Sequence, residues 1–479
     1  MTNSRKRGFD AADPSRLGNE KISKLLLRLA LPAVTAQIVN VVYNIVDRIY
    51  IGRIPDIGSE ALTGVGVVFP LIIVIVSFTN LVSMGGAPRA SIFLGRNDRS
   101  TADKILGSSL LLLLIISAIL TTVLLLFGRD ILLLFGASVD TIVYASEYLN
   151  IYALGIIFMQ LSMGLNAFLS AQGYASLSML TILIGALVNI VLDPVFIFGL
   201  NMGVRGAAIA TVLSQLVSAI WVIYLLTGNT GALKIRRCNI RLDRKIILPC
   251  LSLGISPFIM GFSGGMISTV YNISLQRYGG DIAVGAMTII NSAMMLYMVP
   301  LTGLTQGAQP IISYNYGAGN SSRVKKTFML VLKTGIVYSA AVWAFYVFAP
   351  GIFVGAFTGD EVLADFASYH LRIFMASALL LCIQVVCQQT FVALGVARTS
   401  IFLAMLRKFV LLMPLIFILP LISENKTRAV FLAEPVADFI AALVTGVTFA
   451  ISFRRILREM HSGKFDSAQS VNIIESNIL

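Results

Sequence analysis

The chain has 479 residues, of which 57% are hydrophobic and only 12% charged, with a mean hydropathy of +0.87. Soluble domains carry roughly 25% charged residues, so this composition excludes a soluble globular protein and indicates an integral membrane one. The net charge of +13 comes from 36 basic and 23 acidic residues, and the placement of those charges accounts for it without nucleic acid. Cys238, Cys250, Cys382 and Cys387 form no CxxC pair, so free thiols are expected. Two histidines exclude a histidine-based metal site. Residues 1–20 are polar and basic, and the long apolar run that follows leads into further spans, so no cleaved signal peptide is expected.

Apolar segments separated by short polar loops predict twelve transmembrane helices, near 25–51, 61–84, 105–127, 142–169, 176–199, 204–226, 246–275, 281–305, 327–349, 362–393, 398–421 and 430–453. They are too long and too continuously apolar for barrel strands, so the fold class is an all-α membrane protein. With the N-terminus inside, 28 of the 36 basic residues are assigned to inner loops and tails, Arg407 and Lys408 counted among them beside Arg398. That bias predicts a multi-pass protein of the cell membrane with both termini cytoplasmic.

The chain repeats itself. GGAPRASIFLGRND (85–98) after the second span is echoed by QGAQPIISYNYGAGN (306–320) after the eighth. Tyr43-Asn44 in the first span matches Tyr271-Asn272 in the seventh. FLSAQGYAS (168–176) matches FVALGVARTS (391–400), and RGAAIAT (205–211) matches LAEPVAD (432–438). Two pseudo-symmetric six-helix bundles follow, over residues 21–227 and 246–453. A cytoplasmic linker at 228–245 joins them, and tails at 1–20 and 454–479 flank them. Doubled halves of this kind are a transporter signature. A cavity between the halves, lined by Met, Phe and Tyr, is expected.

The fifth span, MLTILIGALVNIVLDPVFIFG (179–199), holds one full charge, Asp193. Asn189 lies four residues before it and so shares its helix face. Pro194 cannot donate a backbone hydrogen bond and leaves the Ile190 carbonyl free. An ionisable residue inside a membrane marks an ion or substrate path by default, although a structural Asp bonded to a neighbouring helix is the plainer reading. Asp47 in the first span and Thr211 in the sixth fall at a similar depth, roughly 6–11 Å below their helix ends at 1.5 Å per residue. Asn40, Tyr43 and Asp47 form one stripe above the possible bending point Pro32. The plainer alternatives are an Asp47 facing interfacial water with Arg48, and Asn40 and Tyr43 as ordinary interhelical partners. Glu434 and Asp438 share a face of the twelfth span and read as a structural or gating pair. Arg372 is expected to neutralise Asp365 or to snorkel outward. The glycine pairs Gly85-Gly86 and Gly264-Gly265 read as close helix contacts or hinges. No Walker motif, Ser-His-Asp arrangement or HExxH is present, so no enzyme and no cofactor are expected.

YNIVDRIYIGR (43–53), GGAP…LGRND (85–98) and NIVLDPVFIFGLNMGVRGAAIAT (189–211) resemble the MATE (multidrug and toxic compound extrusion) transporters, over essentially residues 20–460. The absence of interior acids in the seventh span and the deep tenth span resembles the DinF-like branch. The resemblance implies a V-shaped pair of bundles and a secondary antiporter that exports amphipathic, often cationic compounds in exchange for H+ or Na+. It implies a cation-coupling site at Asp47, Asp193, Asn189 and Thr211, a substrate cavity at Asn40 and Tyr43, and bending at Pro32 and Pro194. Met163 and Ser170 depart from the family pattern. Met163 weakens the oxygen shell of any Na+ site at Asp47 and Asp193, so H+ is favoured. Expected partners are small amphipathic molecules and the bilayer, with no nucleic acid, for a monomer. The alternative is a flippase or exporter of a lipid-linked or other anionic cargo. Its cavity would need several intramembrane basic residues, where the sequence offers chiefly Arg372, with Arg48 and Arg277 near helix ends.

Overall fold

The computed structural model describes residues 15–461 apart from Asp56, Asp140, Asn229 and Thr230. Residues 1–14 and 462–479, most of the two expected tails, lie outside the described residues. Among the described residues every element is helical. After the short α1 (Arg16–Asn19) come α2 (Ile22–Gly52), α3 (Gly58–Gly95), α4 (Arg99–Leu134), α5 (Ile142–Ala171), α6 (Ala175–Pro194) and α7 (Gly203–Thr227). A π-helical turn, Val195–Gly199, continues α6 beyond Pro194. The second half holds α8 (Arg244–Gly317), α9 (Ser321–Phe348), α10 (Pro350–Val354), α11 (Glu361–Phe374), α12 (Ala378–Ala393), α13 (Ala397–Met405), α14 (Met413–Ile422) and α15 (Lys426–His461).

The expected seventh and eighth spans are the two limbs of α8. They meet at Gly280, whose φ of 64° and ψ of −161° break the helix at a conformation that a side chain would disfavour. Eleven helical stretches are long and apolar enough to cross a bilayer, and the two limbs of α8 raise the count to twelve. The tenth crossing is interrupted by the 3-10 turn Met375–Ser377. The eleventh joins α13 to α14 through the π-helical segment Leu406–Leu412. Several helices overrun the expected spans because polar caps extend them. Asp98 accepts from the Thr101 amide at 3.0 Å at the start of α4, and Asn320 accepts from the Arg323 amide at 3.2 Å at the start of α9. The turns before those caps hold Asn97 (φ 62°) and Gly319 (φ 72°), so the sequence repeat is also a repeat of backbone conformation.

The loops around Arg96, Gly173, Arg237, Gly319 and Gly395 lie at one end of the helices, called here the basic face. Near it the halves pack backbone to backbone. A Cβ at Gly85 would overlap the Cys250 carbonyl, one at Gly254 the Leu81 carbonyl, one at Gly95 the Tyr314 carbonyl and one at Gly317 the Ile92 carbonyl. Small residues permit such contact where lipid supplies no hydrophobic drive for helices to associate. The close-contact reading thus holds for Gly85. Nothing lies within 4 Å of a Cβ at Gly264 or Gly265, so that pair makes no close contact. The linker docks on the first half, where Asp103 accepts from the Lys234 amide at 2.9 Å and pairs with Arg236 at 3.4 Å.

The segment α1 fastens this face. Asn315 Nδ2 donates to the Leu17 carbonyl at 2.8 Å, and Arg323 Nη2 donates to the carbonyls of Leu17 (3.0 Å) and Glu20 (2.8 Å). The Leu17 side chain is 2% exposed and packs beside Gly173 of the first half. Burying a leucine is worth about 2 kcal/mol. Leu17→Glu therefore shifts the balance at this face toward separation by roughly tenfold or more. Maleimide labelling of Cys250, which is buried against Gly85, should accelerate in a Cys238→Ser background, while the core thiol Cys382 stays unreactive.

Candidate functional site

Asp47, Asn189, Asp193 and Thr211, expected as one site, do converge. They come from α2, α6 and α7 and are 9%, 0%, 0% and 4% exposed. Asn189 Nδ2 donates to Asp193 Oδ1 at 3.1 Å and to Thr211 Oγ1 at 3.4 Å. The four-residue spacing of Asn189 and Asp193 puts the amide and carboxyl on one face, and Thr211 closes the triangle from the next helix. The Asp47 carboxyl lies within hydrogen-bonding reach of the Asp193 carboxyl. Arg48 makes no ion pair with Asp47: its guanidinium lies 4.3 Å above the Phe69 ring and acts on the carboxyl only through its field. The interfacial-water reading of Asp47 is thereby replaced by a buried one.

Three acceptor atoms of this cluster have no partner: Asp47 Oδ1, Asp193 Oδ2 and Asn189 Oδ1. Among the described residues no Lys, Arg or His forms an ion pair with either acid. Two buried carboxyls facing each other cannot both remain charged without compensation. The arrangement therefore accepts a shared proton or a small cation bound by oxygen. Tyr148 and Tyr152 stack on each other at 6.1 Å between centroids, with Tyr148 beside Thr211, and wall the cluster. The sequence reading passed over both. Their i, i+4 spacing is the signal that was available.

A cavity of about 500 Å³ lies on the basic-face side of the cluster. Asn40 and Tyr43 line it, as expected, with Gln37, Asn80, Met84, Met159, Met163, Asn166, Met179, Gln215, Gln306 and Gln309. Among the described residues no Asp, Glu, Lys or Arg lines it, and neither does any Phe. Methionine and tyrosine were expected, but the amide wall replaces the expected phenylalanines. The cavity lies mainly within the first half and meets the second half only along α8. Gln37 Nε2 donates to Gln306 Oε1 at 3.0 Å across that junction. Ser170, one of the departures from the family pattern, donates to Ser178 Oγ at 2.8 Å on the wall. Pro32 sits inside the continuous α2, and Pro194 marks the change from α-helix to π-turn, where its missing donor loosens the regular pattern.

The second half differs. Glu434 and Asp438 are buried and bind Arg407, with Arg407 Nε to Asp438 Oδ1 at 2.6 Å and Arg407 Nη2 to Glu434 Oε1 at 3.0 Å. Arg407 and Lys408 therefore do not belong to the inner loop in which the charge bias placed them. Arg407 lies ten residues beyond Ala397, about 15 Å along the helix, and is 5% exposed. Its basic neighbour made the pair read as a helix end, although an arginine within an apolar run was itself the signal. Arg372 does not pair with Asp365 but donates from Nε to the Val347 carbonyl at 3.0 Å. Gln384 and Gln388 belong to packing: Gln388 donates to Ser256 Oγ at 3.0 Å, tying α12 to α8.

The family model MatE matches residues 32–195 and again 258–418, once in each half. The chain belongs to the MatE family. Family members are transporters, so this multi-pass membrane protein is a transporter and not an enzyme. It is similar to the multidrug export protein MepA of Staphylococcus aureus (strain N315), 26% identical over 399 residues, covering 83% of this chain and 87% of that protein. The MepA of Staphylococcus haemolyticus (strain JCSC1435) is 26% identical over 425 residues, 88% of this chain and 93% of that protein. A crystal structure of a MATE protein in the bent conformation superposes with a TM-score of 0.88 at 23% identity, covering 94% of this chain and 99% of that one. The twelve-helix MATE fold is thereby established.

In this MatE-family site, Asn189 is the residue that joins α6 to α7. Asn189→Leu removes both of its donated bonds and leaves Asp193 Oδ1 and Thr211 without them. A loss of about 1–3 kcal/mol is expected, read as a lowered melting temperature of the detergent-solubilised protein.

Proposed function

We propose that the chain is a secondary active multidrug efflux antiporter, exporting amphipathic, often cationic compounds in exchange for a cation, with H+ favoured over Na+. One observation carries the reading: two facing carboxyls with unpartnered oxygens stand at the end of an uncharged cavity of drug-sized volume. A proton needs only those carboxyls, whereas Na+ would need an oxygen shell that Met163 does not help to supply. Asp47 and Asp193 exchange the ion, and Asn189 and Thr211 hold their geometry. Asn40 and Tyr43 carry the coupling into the cavity, and Pro32 permits α2 to bend when the charge at its far end changes. A cationic substrate favours the deprotonated pair, so substrate and proton oppose each other, as exchange requires. The protein acts as a monomer in the plasma membrane, with the basic face toward the cytoplasm. The cavity wall holds no Lys or Arg, which argues against a phosphate-bearing cargo.

Efflux in inverted vesicles, driven by a proton gradient or a Na+ gradient applied separately, tests the reading. Asp193→Asn should reduce ion-driven efflux to background at normal insertion. Asp47→Asn should do the same or nearly so, and the double variant should be no worse than the worse single, because the two act as a unit. Efflux near wild type in both single variants would place the coupling elsewhere. Met163→Trp tests the cavity separately, since Met163 lines it and is 40% exposed. Filling that space should weaken substrate binding by roughly tenfold, about 1.4 kcal/mol, in a fluorescence titration with ethidium, leaving expression unchanged.

A further inference from the structure

The two halves place their buried acids between equivalent helices. The first cluster lies between α2, α6 and α7. The second lies between the first limb of α8, the α13–α14 crossing and α15, where Tyr271 repeats Tyr43 and Asp438 repeats Thr211. In both halves the penultimate crossing carries a π-helical segment, Val195–Gly199 and Leu406–Leu412. Each cluster holds two carboxyl groups.

Their hydrogen bonding differs. In the second half every carboxylate oxygen has a donor. Asp438 Oδ1 and Glu434 Oε1 accept from Arg407, Glu434 Oε2 accepts from the Tyr271 hydroxyl at 3.2 Å, and Asp438 Oδ2 accepts from the Ser377 hydroxyl at 3.3 Å. In the first half Asp47 Oδ1 and Asp193 Oδ2 have none. We propose that Arg407 is a built-in cation that occupies, in the second half, the place that the first half leaves for the transported ion. The directly bound charges agree: two carboxylates and a guanidinium sum to −1, as do two carboxylates and one bound proton or Na+, and each cluster has one further cation beside it, Lys408 in the second half and Arg48 in the first. A guanidinium does not deprotonate in proteins and binds carboxylates through a planar fork. The second cluster is thus closed to exchange, and the duplicated molecule couples through one acid pair. Arg407 is a positioning residue that confines coupling to the first half. This rests on the reading of Asp47 and Asp193 as the exchange site.

The test is the proton release caused by tetraphenylphosphonium, measured on purified protein in weakly buffered detergent, together with proton-driven efflux in inverted vesicles. The variants are Asp193→Asn and the neutral triple variant Arg407→Met/Glu434→Gln/Asp438→Asn. Wild type and the triple variant should release equal numbers of protons and keep efflux, while Asp193→Asn should release none. Arg407→Met alone strands two buried acids and should lose most of its folded yield, and the two neutralising changes should restore it. A folded triple variant that loses release and efflux, with Asp193→Asn also inactive, overturns the proposal and leaves the coupling site in place. Release and efflux persisting in Asp193→Asn overturns the coupling reading and this proposal together. Undiminished folded yield of Arg407→Met, with unchanged proton release, also overturns it, because the acids would then need no cation.

Discussion

A carboxylate surrounded by packed helices needs a positive partner, because hydrocarbon supplies neither water nor counter-ions. Four acids of this chain meet that demand in two ways. Glu434 and Asp438 share the guanidinium of Arg407. Asp47 and Asp193 have each other, one donating amide and, among the described residues, no ion pair with a basic side chain. One half is therefore electrostatically complete as folded, whereas the other leaves carboxylate oxygens without donors.

The apolar packing follows the same division. The second half has one large core, running from Ile267 and Tyr271 to Met460 and reaching across to Leu25 and Leu29 of α2, beside a small cluster of Leu253, Val392 and Ala397. The first half has two separate cores, one around Tyr148 and Ile197 and one around Phe168 and Leu165. The amide-rich cavity and the acid pair lie along the break between them. In the first half the amide-lined cavity borders both packed blocks.

The basic face joins the two halves. Backbone contacts at Gly85, Gly95, Gly254 and Gly317 hold the halves together there, and α1 lies across the seam, with Leu17 against the first half and its carbonyl bonded to the second.

Much of this was legible in the order of residues. Twelve apolar runs, their helical nature and the doubling of the chain follow from length, hydropathy and repeat, because a bilayer admits few other solutions for the backbone. The acid site was legible too: Asn189 and Asp193 share a face by spacing alone, and depth along the helix brings Asp47 and Thr211 level with them. Three things were decided only by tertiary structure. Arg407 looked like a loop residue, because a charge bias counts residues by segment and cannot see that two acids 27 and 31 positions later fold back onto it. The cavity was assigned walls of Met, Phe and Tyr, whereas Gln37, Asn166, Gln306 and Gln309, scattered over three helices, converge only once those helices pack. The fastening of Leu17 to Asn315 and Arg323 joins residues about 300 positions apart. Local pattern specifies which face of a helix is polar, and the packing of helices decides which polar faces meet.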